Sequence, residues 1–315
     1  MIDFFTVFLG IILTVIASSC FSLGFILQKK GVSEGLPELN FEEGLSASLK
    51  AFTEFLKNKT WISGILIGLI GWFPYIFAIS SVGIIVVQPL TNIGLIVFVI
   101  SAIKILKEKI KLIEIISVIL LILAPVFFTI AGVSNVSFDL REFQFPFSLF
   151  LLLLASIAIL CYLFSKKQNN VQWDGILITF SGAIFYSIST IFTNVFTQAL
   201  KIAQVDLISW FGWAEVALGI FWFDLSHLWV FFGFWGMLIF YGIGLILYQS
   251  GFQKVRTLFV CLILNSVSLF LSTIAGLFIF NQTFSNIGFF LIGIGIITFS
   301  IITLSKFQAE FEQIE

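Results

Sequence analysis

The chain has 315 residues, of which 59% are hydrophobic and only 10% are charged, and its mean hydropathy is +1.13. Soluble domains carry roughly 25% charged residues, so a soluble globular protein is excluded and lipid must surround most of this chain. The formal net charge of -1, with no basic patch, argues against a nucleic-acid partner.

Nine apolar stretches are long enough to cross a bilayer, which takes about 17–25 mostly apolar residues per helix. They are residues 4–27, 61–81, 84–106, 112–132, 147–164, 175–200, 228–250, 257–280 and 287–305. A tenth stretch, 207–223, is short, contains Glu215 and is rich in tryptophan, which favours membrane interfaces. We therefore predict an all-α, polytopic membrane helix bundle of about nine transmembrane helices, with ten as the alternative.

The basic residues favour nine crossings, because cytoplasmic loops are enriched in lysine and arginine. With nine crossings and the N-terminus outside, only Arg141 and Lys201 of the 16 basic residues lie outside. A tenth crossing would also move Lys254, Arg256 and Lys306 outside. We predict an integral protein of the plasma membrane with an outer N-terminus and a cytoplasmic C-terminus, in which the tenth stretch lies in or dips into the outer interface.

The long connection at residues 28–60 contains a second pattern. Leu45, Leu49, Phe52 and Leu56 fall on one helical face, with charged residues elsewhere around the helix. This pattern predicts an amphipathic helix on the inner membrane surface. A helix that binds a partner protein is the alternative.

The stretch at 84–106 is interrupted near its start by Gln88, Pro89, Thr91 and Asn92. Proline removes a backbone donor and disrupts the helical hydrogen bonds, which frees a carbonyl beside these polar side chains. In hydrocarbon, such irregularity is tolerated only where it faces protein or a water-filled cavity. Because broken helices commonly hold the substrate site of secondary transporters, we predict a transport path beside Asn92.

A weak internal repeat aligns Tyr75 with Tyr248 and Asn92 with Asn265. One extra crossing between the two copies would turn the second copy upside down, which is the inverted-repeat arrangement of many transporters. We therefore predict a single integral membrane transporter domain over residues 1–315. Its parts are a first repeat at 4–132, an extra helix at 147–165 and a second repeat at 174–306.

Polar and tyrosine side chains within the predicted spans are the candidate substrate-binding residues. They are Gln88, Thr91, Asn92, Asn265, Ser266, Asn194, Tyr75 and Tyr248. Their oxygens could replace part of an ion's hydration shell or bind a polar solute, and tyrosine offers an aromatic face to a cation or an organic solute. The alternative is that these groups form interhelical hydrogen bonds. For Ser18, Ser19 and Ser22 in the first span, we expect small-residue contacts that let helices approach closely.

Enzyme signatures are absent from the sequence. There is no HExxH, no GxSxG and no phosphate-binding loop, and His227 is the only histidine. The three cysteines lie in apolar runs without metal-binding spacing, so we expect no disulfide. We predict no enzymatic activity and no cofactor, and assign no metal ligands.

Three short motifs together resemble a known family. Residues 18–31 end the first span in a lysine-lysine-glycine turn, residues 86–90 carry the proline, and residues 106–110 form a short charged loop. The chain resembles the drug/metabolite transporter superfamily, most closely its NIPA-type magnesium transporter branch, which has a similar nine-span layout with long connectors. The resemblance implies facilitated transport of Mg²⁺ or another divalent cation.

Two other functions stay open. Trp72 stands where members of that branch usually carry an acidic residue, and together with 17% aromatic residues it favours an exporter of a small organic metabolite. A non-transporting membrane or lipid-binding protein is the third possibility, and it predicts no cavity between Asn92 and Asn265. The expected partners are an ion or small-molecule substrate and the lipid bilayer.

Overall fold

The computed structural model describes residues 4–37, 39, 45–82, 87, 90–107, 112–131, 139–207, 209–280, 285–296 and 298–299. Every regular element within these residues is helical, which confirms the all-α class. In chain order the helices are α1 (Phe4–Ser33), α2 (Leu45–Phe55), α3 (Lys59–Val82), α4 (Gly94–Ser101), α5 (Leu112–Ile130), α6 (Gln144–Ser165), α7 (Val171–Ala203), α8 (Trp210–Leu218), α9 (Leu225–Lys254), α10 (Thr257–Phe278) and α11 (Ile287–Ile296).

Six of the described helices, α1, α3, α6, α7, α9 and α10, are long and apolar enough to cross a membrane. Three shorter apolar helical segments fall inside other predicted spans, at Thr91–Leu106, Ile115–Ala124 and Ile287–Ile296. The integral membrane class is thus supported by the structure, while the count of nine or ten crossings stays a prediction.

Burial separates the central helix from the lipid-facing ones. In α7 the most apolar window is 83% buried inside the bundle, whereas in α6 it is only 17% buried. The sequence explains the difference, because α7 carries many hydroxyl and amide side chains that need protein partners, whereas α6 is mostly leucine, isoleucine, phenylalanine and alanine. Helix α7 therefore forms the centre of the bundle, packed against α6, α9 and α10.

The described part of the predicted span at 84–106 is irregular at both ends of a short α-helix. A 3₁₀ turn at Thr91–Ile93 leads into α4, and α4 continues into a π-helical turn at Ala102–Leu106. Lys107 ends the segment in the left-handed region at φ 57°. Gln88 and Pro89, on which the predicted helix break rests, lie outside the described residues.

Two surface segments bear on the predictions. A helix forms in the long connection, where Phe52 and Phe55 of α2 pack against Trp61 with ring centroids 5.5 and 5.6 Å away. Leu56 was expected on this apolar face but follows the end of α2 and is 52% exposed, so Phe55 takes its place.

Helix α8, in the predicted tenth stretch, has nine residues and is about 14 Å long. This helix is too short to cross a hydrocarbon core of about 30 Å.

Candidate functional site

A polar cavity lies between α1, α3 and the Thr91–Ser101 region on one side and α7, α9 and α10 on the other. Its volume, counted as space open to the centres of water molecules, is about 50 Å³. A single water needs roughly 10–15 Å³, so the cavity can hold a few waters or a partly hydrated ion. Its described lining residues include no charged side chain.

Helix α1 contributes two serines to the wall, Ser18 and Ser22, one helical turn apart. The Ser22 hydroxyl donates a hydrogen bond to the carbonyl oxygen of Gly94 at 2.7 Å, and the Ser18 hydroxyl donates to that of Val15 at 3.0 Å. A Cβ atom at Gly94 would lie only 2.6 Å from the Ser18 carbonyl oxygen. Glycine is therefore required where α4 begins, because α1 and α4 meet there backbone to backbone.

Helix α7 contributes a stripe of hydroxyl groups to the opposite wall. Ser189 donates to the carbonyl oxygen of Met237 on α9 at 2.8 Å. Thr190 and Thr193 donate to carbonyl oxygens of their own helix, those of Tyr186 at 3.2 Å and of Ser189 at 2.9 Å. All three residues line the cavity at helical spacing.

These hydrogen bonds decide which groups the cavity offers to a solute. A hydroxyl has one donor hydrogen and two acceptor lone pairs, and a backbone carbonyl oxygen can only accept. In each case the hydroxyl hydrogen is used on a carbonyl, so the hydroxyl oxygen is left as an acceptor. Asn265 on α10 donates one Nδ2 hydrogen to the Cys261 carbonyl oxygen at 2.8 Å, which leaves Oδ1 as an acceptor and the second Nδ2 hydrogen as a donor. Such oxygen acceptors are the ligands of hard cations like Mg²⁺.

Aromatic rings complete the cavity wall. Trp72 on α3 meets Tyr241 on α9 edge-on, with ring centroids 5.2 Å apart, and Tyr241 lies 6.0 Å from Tyr186. Phe21 and Tyr75 form a second edge-on pair at 5.6 Å. Aromatic faces attract cations, so these rings are compatible with a cation as well as with an organic solute.

The cavity is closed at the bundle end where α1 finishes and α9 finishes. Phe25 on α1 packs edge-on against Tyr248 on α9, with ring centroids 5.5 Å apart. Beyond this pair, the Tyr248 hydroxyl donates to Gln28 Oε1 at 3.1 Å, and the Gln249 amide donates to the same oxygen. Gln28 and Gln249 are 2% and 0% exposed, so this contact forms a buried polar layer under the cavity.

The family model for magnesium transporter NIPA matches residues 5–201, more than half of the chain. The chain belongs to the NIPA magnesium transporter family. Comparisons with curated proteins and with solved structures give no significant match. The NIPA match covers α1 to most of α7, whereas the cavity residues of α9 and α10 lie beyond it.

In this NIPA family member, three of the predicted site residues line the cavity: Thr91, Asn265 and Tyr75. Asn92 does not belong to its described lining. The Asn92 side chain is 2% exposed, and its Nδ2 donates to the carbonyl oxygen of Leu121 on α5 at 3.0 Å. This is the interhelical hydrogen bond that the sequence allowed as the alternative. Gln88 lies outside the described residues.

The remaining predicted residues are buried near the NIPA cavity rather than in its wall. Tyr248 belongs to the closed end described above. Asn194 and Ser266 are both 0% exposed. The two polar atoms of the Asn194 amide and the Ser266 hydroxyl have no hydrogen-bond partner among the described residues. Asn194 lies one helical turn beyond Thr190, toward the end of α7 that is opposite the closed end.

Sequence reasoning left out several residues of the NIPA cavity wall. Ser18 and Ser22, favoured as packing residues, both pack against α4 and line the cavity. Ser189 also lines it. The spacing of three, four and seven residues from Tyr186 along α7 was the signal available in the sequence, because it marks one polar helical face.

Proposed function

We propose that this protein transports Mg²⁺ or another divalent cation across the membrane, and that the cation passes through the polar cavity. The observation that carries the proposal is a set of acceptor oxygens in the wall. The hydroxyl hydrogens of Ser22, Ser189 and Thr193 are used on backbone carbonyls, and the Asn265 amide leaves Oδ1 as an acceptor. Acceptor oxygens of this kind favour a cation over an anion. Membership in the NIPA family supports the same direction.

Neutral oxygen ligands require that the ion keep part of its water shell. Mg²⁺ demands near-octahedral oxygen coordination and loses water reluctantly. The cavity of about 50 Å³ has room for roughly three to five waters at about 10–15 Å³ each. Hydroxyls such as Ser189 and Thr193, together with Asn265 Oδ1, then supply the outer hydrogen bonds or the remaining ligands.

Passage of the ion requires the closed end to open. Phe25, Tyr248, Gln28 and Gln249 join α1 to α9, two helices from different halves of the chain. We assign α1 and α9 to the two inverted repeats of the drug/metabolite transporter arrangement, with the closed end on the cytoplasmic side. Lysines near this end, Lys29 among them, support that orientation through the positive-inside rule.

Export of a small organic metabolite is the second candidate function. The aromatic wall formed by Trp72, Tyr186 and Tyr241 favours it. The volume argues against it, because pockets for drug-sized ligands are typically about 300–1,000 Å³ and this cavity is several times smaller.

The test is ion flux into proteoliposomes. Vesicles that contain a Mg²⁺-sensitive dye receive external Mg²⁺ under an inside-negative potential, with protein-free vesicles as the control. We expect dye signal for Mg²⁺, competition by other divalent cations and no competition by anions. Correctly inserted, folded protein that gives no flux for any divalent cation would contradict the proposal and favour the organic solute.

A further inference from the structure

A second and larger cavity is an apolar groove on the outer surface of the bundle, between α3 and the pair of helices α7 and α9. By the same measure as the polar cavity, its volume is about 340 Å³. Phe196 and Met237 are each 1% exposed and form its floor, whereas Phe73 and Phe77 are 54% and 46% exposed and form its rim. The groove is therefore deep and open along one side.

The walls of the groove offer almost no hydrogen-bonding groups. Every lining side chain is leucine, isoleucine, methionine, phenylalanine or tryptophan. The indole of Trp213, at the α8 end of the groove, donates its Nε1 hydrogen to the Leu207 carbonyl oxygen at 3.0 Å. A polar solute would lose its hydration here without compensation, so the occupant must be an apolar chain.

The surroundings identify that occupant. Helices α3, α7 and α9 are all long and apolar enough to cross the membrane, so the open side of the groove faces bilayer hydrocarbon. We propose that one acyl chain of a bilayer phospholipid occupies this groove. Its headgroup end lies near Trp213, because tryptophan favours the membrane interface. This inference stands whichever solute the protein transports.

Trp72 connects the groove to the polar cavity, because it lines both. Its ring also forms the edge-on contact with Tyr241 at 5.2 Å. A chain in the groove covers the side of Trp72 that is turned away from the cavity. The bound lipid is thus part of the wall that separates bilayer hydrocarbon from the water in the cavity.

Photocrosslinking of the full chain tests the proposal. The protein is reconstituted with a phospholipid that carries a diazirine at the end of one acyl chain, and adducts are mapped by mass spectrometry before and after extensive detergent washing. After washing, we expect adducts to persist on residues 69–77 and 234–238. They should disappear from the lipid-facing surface of α6, where Leu152 is 67% exposed. Equal loss from both regions would overturn the proposal, because it would indicate ordinary surrounding lipid.

A pair of variants sharpens the result. Ile76→Trp fills the groove, and Leu152→Trp places the same ring on the lipid-facing surface of α6. We expect Ile76→Trp to reduce the wash-resistant adducts severalfold and Leu152→Trp to leave them unchanged, with folding of both checked by gel filtration. Undiminished adducts in well-folded Ile76→Trp protein would overturn the proposal.

Discussion

Gln28 on α1 accepts a hydrogen bond from the Gln249 amide on α9, although 221 residues separate the two in the sequence. Both side chains are buried. Gln249 Oε1 has no hydrogen-bond partner among the described residues, and an unsatisfied buried acceptor costs about 1–3 kcal/mol. The contact therefore closes the cavity but leaves Gln249 Oε1 unsatisfied, and water could donate a hydrogen bond to this oxygen once α1 and α9 separate.

Truncating Gln28 should open this end of the cavity. Gln28→Ala removes the acceptor that the Tyr248 hydroxyl and the Gln249 amide share, which destabilises the closed state. The readout is labelling of Cys261, a buried cavity residue, in a background where Cys20 and Cys161 are replaced by serine. We expect an impermeant maleimide to label Cys261 about tenfold faster, the equivalent of about 1.4 kcal/mol.

The matched control for this experiment is Gln144→Ala. It also removes one glutamine hydrogen bond, from Gln144 Nε2 to the Leu140 carbonyl oxygen at 2.7 Å, at the start of α6. In Gln144→Ala, the rate of Cys261 labelling should stay at the wild-type value. Equal rates for Gln28→Ala and wild type would show that the contact does not control access to the cavity.

Gly94 should tolerate no side chain. In Gly94→Ala the new Cβ would lie 2.6 Å from the Ser18 carbonyl oxygen and 2.8 Å from the Ser22 hydroxyl, so α4 must move away from α1. Overpacking of this kind costs about 1–3 kcal/mol. We expect a lower unfolding temperature in detergent and reduced transport. Gly68→Ala is the control, because a Cβ at Gly68 meets nothing within 4 Å; an equal effect of both substitutions would contradict this interpretation.

The ion pair between Asp174 and Lys254 should stabilise the closed end of the bundle. Lys254 Nζ lies 2.5 Å from Asp174 Oδ2, with side chains 13% and 20% exposed, and the Ser165 hydroxyl donates to the same carboxylate. Lys254→Met leaves the mostly buried Asp174 carboxylate without its cation, so we expect the free energy of unfolding to fall by about 1–3 kcal/mol. The double variant with Asp174→Asn should regain part of it. A strictly additive double variant, measured by chemical unfolding, would argue against coupling.

Asp224 caps the N-terminus of α9 and should give the protein an acid-sensitive element. Burial raises the pKa of the Asp224 carboxyl, but hydrogen bonds from Ser226 and from His227 outweigh it, and the net pKa is below the ordinary value. A depressed pKa means that this stabilisation is present above about pH 4 and is lost as the pH falls through the folded-state pKa. Asp224→Asn should keep the cap and flatten the acid limb of a stability–pH curve. If Asp224→Asn loses stability below about pH 4 as steeply as the wild type does, the ionised Asp224 carboxylate is not the source of the acid sensitivity.

The length of the apolar stretches made the all-α membrane class predictable, because a soluble fold cannot bury so many long apolar segments. The predicted helix break pointed to Thr91 and the internal repeat pointed to Asn265, and both residues line the cavity. The sequence did not predict which helix packs against each polar helical face. Asn92 was expected in the path and instead bonds to Leu121 on α5, because a polar side chain in hydrocarbon is satisfied equally well by a carbonyl or by a cavity. The Gln28–Gln249 contact depends on packing between distant segments, which no local pattern encodes.

The most direct measurement compares Mg²⁺ flux in proteoliposomes for two threonines of α7. Thr193 and Thr179 each donate to the carbonyl oxygen four residues earlier, at 2.9 and 2.6 Å, but of the two only Thr193 lines the cavity. Replacing either by valine preserves shape and removes one oxygen. We predict that Thr193→Val lowers flux about tenfold, equivalent to about 1.4 kcal/mol for one interaction with a charged solute, while Thr179→Val transports at the wild-type rate. Equal flux in both variants would contradict passage of the cation through this cavity.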